Sequence, residues 1–408
     1  SSRFPSDERW AFFPSASVGW RISQEPWWNV KSEHISNAKV RFSWGSLGNA
    51  AGLSNYQYIQ TLGISKSDYI LDGLRQNYMS SPAALPGNLT WETATTYDIG
   101  ADLGFFDNRL TVSGDYYIRK TTDMIVNGPT VPDVFGASSP KGNYADMSTY
   151  GYELSLEWRD GFDLAGKRFN YSIKGTLADY YSVIDRFNNA NKSLSEYANQ
   201  SLDKNYYEGM RIGEIWGFVS NGLWQDQASI DAAEAAAKAA GQSYYNPLMQ
   251  TSKTYKLYPG DIKFEDLNGN GYIDRGQNTV DDPGDRKIIG NSTRRYQYGI
   301  HGGASWKGFS LSFLLQGVGK RDLWIMNDLF YPHYDAWTTV YDTQLNYWTP
   351  ERTDSYFPRL YEKAAGNTAA NTRIQTRYLQ DGSYLSIRNI TLSYNFPSKW
   401  MNKIGVNN

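Results

Sequence analysis

The chain has 408 residues, of which 40% are hydrophobic and 15% aromatic, with 32 Tyr and 14 Trp. A formal net charge of -2 gives no electrostatic footprint for nucleic acid, and 0 Cys excludes disulfides and Cys-ligated metals. Mean hydropathy is -0.59 and no run of about 18 apolar residues occurs, which rules out a spanning helix. It does not rule out a barrel, whose strands need alternation over only about 10 residues.

In chain order, the opening residues Ser1, Ser2, Arg3, Phe4 and Pro5 are not a charged head before an apolar core, so an exported form would begin at a cut end. Strands are expected near 10–24, 38–44, 56–62, 90–103, 109–124, 149–159 and 168–183, then near 294–306, 309–318 and 384–396. Their side chains alternate. Ala16, Val18, Trp20 and Ile22 oppose Ser15, Ser17, Arg21 and Ser23. Tyr152, Leu154, Leu156 and Trp158 oppose Glu153, Ser155, Glu157 and Arg159. Each strand thus has one apolar and one polar face. Tight turns are expected at 106–109 and 306–309, and longer connections elsewhere. Short turns at one end and long loops at the other fit an all-β, antiparallel transmembrane barrel. The soluble alternative is a β-sandwich or a series of sandwich domains, whose strands usually run about 5–6 residues.

Two inserts interrupt the ladder, at 187–290 and 320–377. Both exceed the usual loop limit of about 12–15 residues, which points to function. The first contains a helix at 229–240, with Ser229 as cap, Asp231 in the first turn, a Glu234–Lys238 pair and Gly241 as stop. It also contains Asp266, Asn268, Asn270, Tyr272 and Asp274 at positions 1, 3, 5, 7 and 9 of a loop with Gly271 at position 6. That spacing matches the first part of a Ca2+ loop. Position 12 is Gln277 where a bidentate acid is required, so Asp281, Asp282 or Asp285 would have to replace it. The other reading is an Asn/Asp/Gly turn that satisfies its own backbone. The second insert is rich in rings, and Trp324, Tyr331, Trp337 and Tyr341 are its candidate ligand-stacking residues. The competing reading is that these rings pack the insert against itself.

Catalysis finds no motif. His34, His301 and His333 are far apart in sequence, and no nucleophile elbow, phosphate loop or His-based zinc motif is present.

Several segments resemble TonB-dependent outer-membrane transporters. Ser2-Arg3-Phe4 followed by Phe13-Pro14-Ser15-Ala16-Ser17-Val18-Gly19-Trp20 is similar to the barrel of that family. The run Pro259-Gly260-Asp261-Ile262-Lys263-Phe264 into Asp266-Leu267-Asn268-Gly269 resembles its SusC/RagA subgroup of Bacteroidota. So do Ile288-Ile289-Gly290-Asn291, Ile215-Trp216-Gly217-Phe218, Tyr347-Trp348-Thr349-Pro350-Glu351 and Asp381-Gly382-Ser383-Tyr384. The resemblance covers essentially the whole chain. It implies part of a plugged barrel of roughly 22 strands, truncated at both ends, without the plug, the TonB box or the closing strands. It further implies an outer-membrane location in contact with lipid, energy from the TonB complex and no enzyme activity. A SusD-like lipoprotein lid would meet the long extracellular inserts, and the cargo would be glycan or peptide. No cofactor is required on this reading, with Ca2+ in the extracellular loop as the exception. The reading from another functional class is a secreted or surface β-rich glycan-binding or adhesive protein. The discriminator is whether Val112, Ile118, Leu154, Leu311 and Phe313 lie in a closed core or on an open apolar face.

Overall fold

The computed structural model describes residues 3–79, 84–85, 89–128, 134, 139–194, 206–242, 244, 256–334, 337–362 and 366–401. Residues 403–408, at the end where closing strands were sought, lie outside the described residues. The chain divides into two units. The first comprises 1–188, 294–320 and 383–408, and the second comprises 189–293 and 321–382.

The first unit is a nine-stranded antiparallel sheet: β1 (Ser15–Trp20), β2 (Asn37–Asn49), β3 (Glu92–Phe105), β4 (Leu110–Asn127), β5 (Lys141–Leu164), β6 (Lys167–Arg186), β7 (Arg295–Trp306), β8 (Phe309–Lys320) and β9 (Tyr384–Tyr394). Its spatial order equals its chain order, so every strand pairs with its sequence neighbours. Strand β5 runs 24 residues and β6 runs 20, far beyond a sandwich strand and beyond the length needed to cross a bilayer.

The alternation sets the two faces. Across the sheet, Phe42 pairs with Ile99, Ile99 with Tyr116, and Tyr116 with Tyr152. In further rows Leu154 pairs with Leu177, Ile300 with Leu315, and Leu311 with Leu392. Leu154 and Leu311 remain 48% and 44% exposed, and Val112, Ile118 and Phe313 are half-buried, so none of the five discriminating residues is enclosed in a core. The sandwich expectation fails here, because no second sheet covers this face among the described residues.

Turn chemistry explains the connections. Ala165 and Gly166 join β5 to β6, and Lys307 and Gly308 join β7 to β8, each pair with two consecutive positive φ values. That backbone matches the right-handed twist of the flanking strands. Phe106, Asp107 and Asn108, also at positive φ, join β3 to β4. The meander therefore places all three tight turns at one end and the connections 50–91, 128–140, 187–294 and 321–383 at the other.

Two strand expectations differ from the structure. The expected strand at 10–24 is shorter, because Ile22–Gln24 forms a 3-10 turn and takes Ile22 off the ladder. The expected strand at 56–62 is absent. Ile64–Leu71 and Leu74–Met79 instead form a hairpin that pairs only with itself. Asp72 and Gly73 provide its turn at φ 52° and 77°.

The second unit is held by a core, not by a long ladder. Phe218, Trp224, Ile230, Ile262, Phe264 and Ile273 of the first insert pack with Tyr331, Trp348, Phe357 and Tyr378 of the second. Its helix α1 spans Gln227–Ala239. The cap is Asp226, not Ser229: Asp226 Oδ1 accepts from Ser229 N at 2.8 Å, because a carboxylate one turn earlier reaches the first free amides. Gly241, at φ 76°, ends the helix as expected.

Candidate functional site

On the polar face of the sheet, several charges are paired across strands. Arg41 of β2 reaches over β3, placing Nε 2.9 Å from Asp102 Oδ2 and Nη1 2.9 Å from Asp115 Oδ1 on β4. Gly100 makes this possible, since a side chain there would collide with the Asp115 carboxylate and the guanidinium. Ser113 donates to Asp102 at 2.8 Å and completes the cluster. Near the long-connection end, Arg295 grips Asp179 with two bonds of 2.6 Å. Such forked pairs fix geometry as well as charge. A cleft of about 510 Å³ lies among Asp115, Glu153, Lys174, Thr176, Gln297 and Gln316. It offers donors and acceptors of both charge signs. His301 shares this face in register with Lys174 and is exposed, His34 is exposed on a loop, and His333 sits at a positive-φ turn. Among the described residues no group of three or more His, Asp or Glu is arranged to hold a metal ion.

In the second unit, Asp261 is the node. It is 1% exposed. Its Oδ1 accepts from Asn371 Nδ2 at 3.0 Å, and its Oδ2 from Asn367 Nδ2 at 2.8 Å and Tyr258 N at 2.9 Å. Asn371 Oδ1 in turn accepts from Ile262 N at 3.0 Å. Burial pushes the Asp261 carboxyl up, while these donors favour its charged form. Gly260, at φ 95°, lies against the Trp348 ring, which leaves no room for a Cβ. The segment Glu214–Phe218 pairs with Arg286–Asn291, and Phe218 N donates to Ile374 O at 2.9 Å. The four motif segments around residues 215, 260, 288 and 348 are therefore parts of one packed unit, a convergence that sequence order conceals.

The ring candidates separate into two groups. Tyr331 is 4% exposed, with its ring 5.6 Å from Tyr378 and 5.9 Å from Phe357, so it serves as packing. Burial pushes its hydroxyl pKa well up. Trp324 is half-buried against the same cluster. Trp337 is 96% exposed and Tyr341 is 41% exposed, so both rings face solvent. Nothing in the residue types distinguishes the two groups; only the packing does.

The loop from Asp266 closes on its own amides. Asp266 Oδ1 accepts from Gly269 N at 2.7 Å and Oδ2 from Gly271 N at 2.7 Å. Asn268 Oδ1 accepts from Asn270 N, and Asn270 Oδ1 from Tyr272 N, each at 3.0 Å. Asn270 Nδ2 donates to Asp274 Oδ2 at 2.7 Å, and Gly276 N donates to Asp274 Oδ1. Of the three downstream acids, Asp282 Oδ2 accepts from Gln277 N at 3.1 Å, and Asp285 reaches the start of the loop. It accepts from Leu267 N and Asp274 N, both at 2.7 Å. Burial pushes its carboxyl up to about 6, against the pull of those amides.

The comparisons bear on the sheet first. Residues 1–229 match the family model described as TonB dependent receptor-like, beta-barrel. The chain belongs to this family. The TonB-dependent receptor P3 of Formosa agariphila is 28% identical over 100% of this chain and 37% of its own length. The TonB-dependent receptor SusC of Bacteroides thetaiotaomicron is 26% identical over 98% of this chain and 36% of its own length. The solved RagAB peptide transporter superposes with a TM-score of 0.68 at 20% identity, over 98% of this chain and 38% of that one. The chain thus spans little more than a third of the length of these TonB-dependent receptor relatives, and its nine strands form part of the family's β-barrel. The family is a receptor family rather than a class of enzymes.

Proposed function

We propose that the chain is part of the wall and loops of an outer-membrane active transporter for oligosaccharides or oligopeptides, energised through TonB. The observation that carries this reading is the sheet itself: nine sequential strands with an open apolar face and a charged, hydrogen-bonded opposite face. An apolar face that size is stable only against lipid or a partner, and a closed barrel leaves no strand edge in the bilayer. On this reading the tight turns face the periplasm. The second unit stands outside the cell, where it meets ligand and a SusD-like lipoprotein. Trp337 and Tyr341 are the residues proposed to stack on the cargo. The RagAB neighbour is named a peptide transporter and the SusC relative a receptor, so glycan and peptide cargo are both tested.

The test is uptake of labelled oligosaccharides and oligopeptides by cells carrying the full-length protein, with and without the proton-motive force. Energy-dependent import of one class is expected. Surface binding without import would instead support the adhesive, glycan-binding reading. A second proposal concerns Asp266, Asn268, Asn270, Tyr272 and Asp274, whose spacing suits Ca2+ in the loop of the extracellular unit.

A further inference from the structure

Where β5, β6, β7 and β8 approach their tight turns, a cleft of about 630 Å³ opens between the strands. Its chemistry differs from that of the polar cleft nearer the middle of the sheet. Arg109, Arg159 and Arg168 contribute three guanidiniums, and Asp160 is the sole carboxylate in the lining. The register explains the shape. Arg159 pairs with Ser172 and Ser172 with Gly303 in one row; Gly161 pairs with Asn170 and Asn170 with Ser305 in the next. Ser305 then pairs with Ser310. Glycines at 161 and 303 lower the floor where larger neighbours would fill it. A side chain at 161 would press against Arg168 Nε and Asn170 Oδ1, so Arg168 and Asn170 lean over that glycine.

The charge balance favours an anion. Arg159 is paired with Glu157 at 2.6 Å, and Arg109 with Asp160 at 3.5 Å. Among the described residues no carboxylate lies within ion-pair distance of Arg168, and its register partner Asp163 is not bonded to it. Arg168 is therefore left without an ion pair, beside the hydroxyls of Ser172, Ser305 and Ser310 and the amide of Asn170. A fork of N–H donors flanked by small hydroxyls matches the oxygens of a carboxylate or phosphate. A neutral sugar or an apolar group would leave the third guanidinium uncompensated.

We propose that this cleft is an oxyanion site, with Arg168 as the principal contact and the serine hydroxyls as supporting donors. It stands on the local register and charge, not on the identity of the transported cargo. The oxyanion could belong to a small solute or to an acidic side chain of a polypeptide that reaches the polar face.

The experiment uses the full-length protein purified in detergent and inorganic phosphate as the probe, followed by 31P line broadening and calorimetry. Saturable binding is expected. Arg168→Gln should weaken it about tenfold or more, and Arg168→Lys, which keeps the charge but not the fork, should restore only part of it. Arg388→Gln, an exposed arginine on β9 outside the cleft, should leave it unchanged. A hexaglutamate peptide distinguishes the sources. If it displaces phosphate at a lower concentration than free glutamate does, the ligand is a polypeptide carboxylate; equal displacement points to small oxyanions. Thermal melting and circular dichroism confirm that each variant is folded, which the exposure of Arg168 favours. Absence of saturable phosphate binding, or equal affinity of the folded Arg168→Gln variant, would overturn the proposal.

Discussion

The two units use the same aromatic-rich alphabet in opposite ways. In the sheet, Phe42, Ile99, Tyr116 and Leu154 all stay exposed, and on the other face Arg41 bridges Asp102 and Asp115 across strands. In the insert unit, Tyr331 is buried edge to face against Phe357 and Tyr378, which stack on each other, and the polar node Asp261 is also buried. On the proposed reading the sheet turns its apolar side chains outward to lipid, whereas the insert unit builds a core inside. Ring content by itself does not distinguish the two solvents. The neighbours of each ring do.

The largest expected difference between the units comes from their polar nodes. Asp261→Ala leaves the amides of Asn367 and Asn371 and the Tyr258 N–H unsatisfied, and should destabilise the insert unit by about 3 kcal/mol or more. Hydrogen exchange should rise across 206–242 and 256–293 and stay unchanged in β4–β6. Equal loosening of both units would erase the contrast. Next in size, Leu154→Arg on the apolar face should cost roughly 2–4 kcal/mol in a bilayer, and Ser155→Arg on the polar face far less. Unfolding in lipid vesicles measures both, and similar costs would remove the lipid-facing assignment. A smaller effect is expected from Trp337→Ala. Its stability should stay within about 0.5 kcal/mol of the parent, as for other surface changes, while capture of cargo by cells weakens. Tyr331→Ala should do the reverse and cost about 3–5 kcal/mol as a lost core aromatic. The smallest expected effect is at the Asp266 loop. Calcium titration of the intact protein should give a heat or a shift in melting that Asp266→Ala abolishes. Identical titrations of parent and variant would leave the loop closed by its own amides alone.

Much of the sheet was legible because its determinants are local. Alternation has a period of two, and hairpin turns announce themselves within four residues. The hairpin at 64–79 carries such a signal in Asp72-Gly73, whereas residues 56–62, despite their Tyr and Ile content, form turns and not a strand. At the candidate site, the Asp266 spacing marked an oxygen-rich loop. It named Asp285 only as one of three downstream acids, and the bonds to Leu267 N and Asp274 N depend on the folded loop.

By itself the sequence determined the strand ladder, its two-faced character and the family it resembles, because side-chain alternation and turn chemistry act between near neighbours. Only the tertiary structure decided that the two inserts form one unit with Asp261 at its centre, that Tyr331 packs while Trp337 faces water, and that three arginines share a cleft. Each of those outcomes depends on residues brought together from distant positions, as when Ile262 N reaches Asn371. Burial there is set by the complete arrangement of neighbours, which no local period encodes.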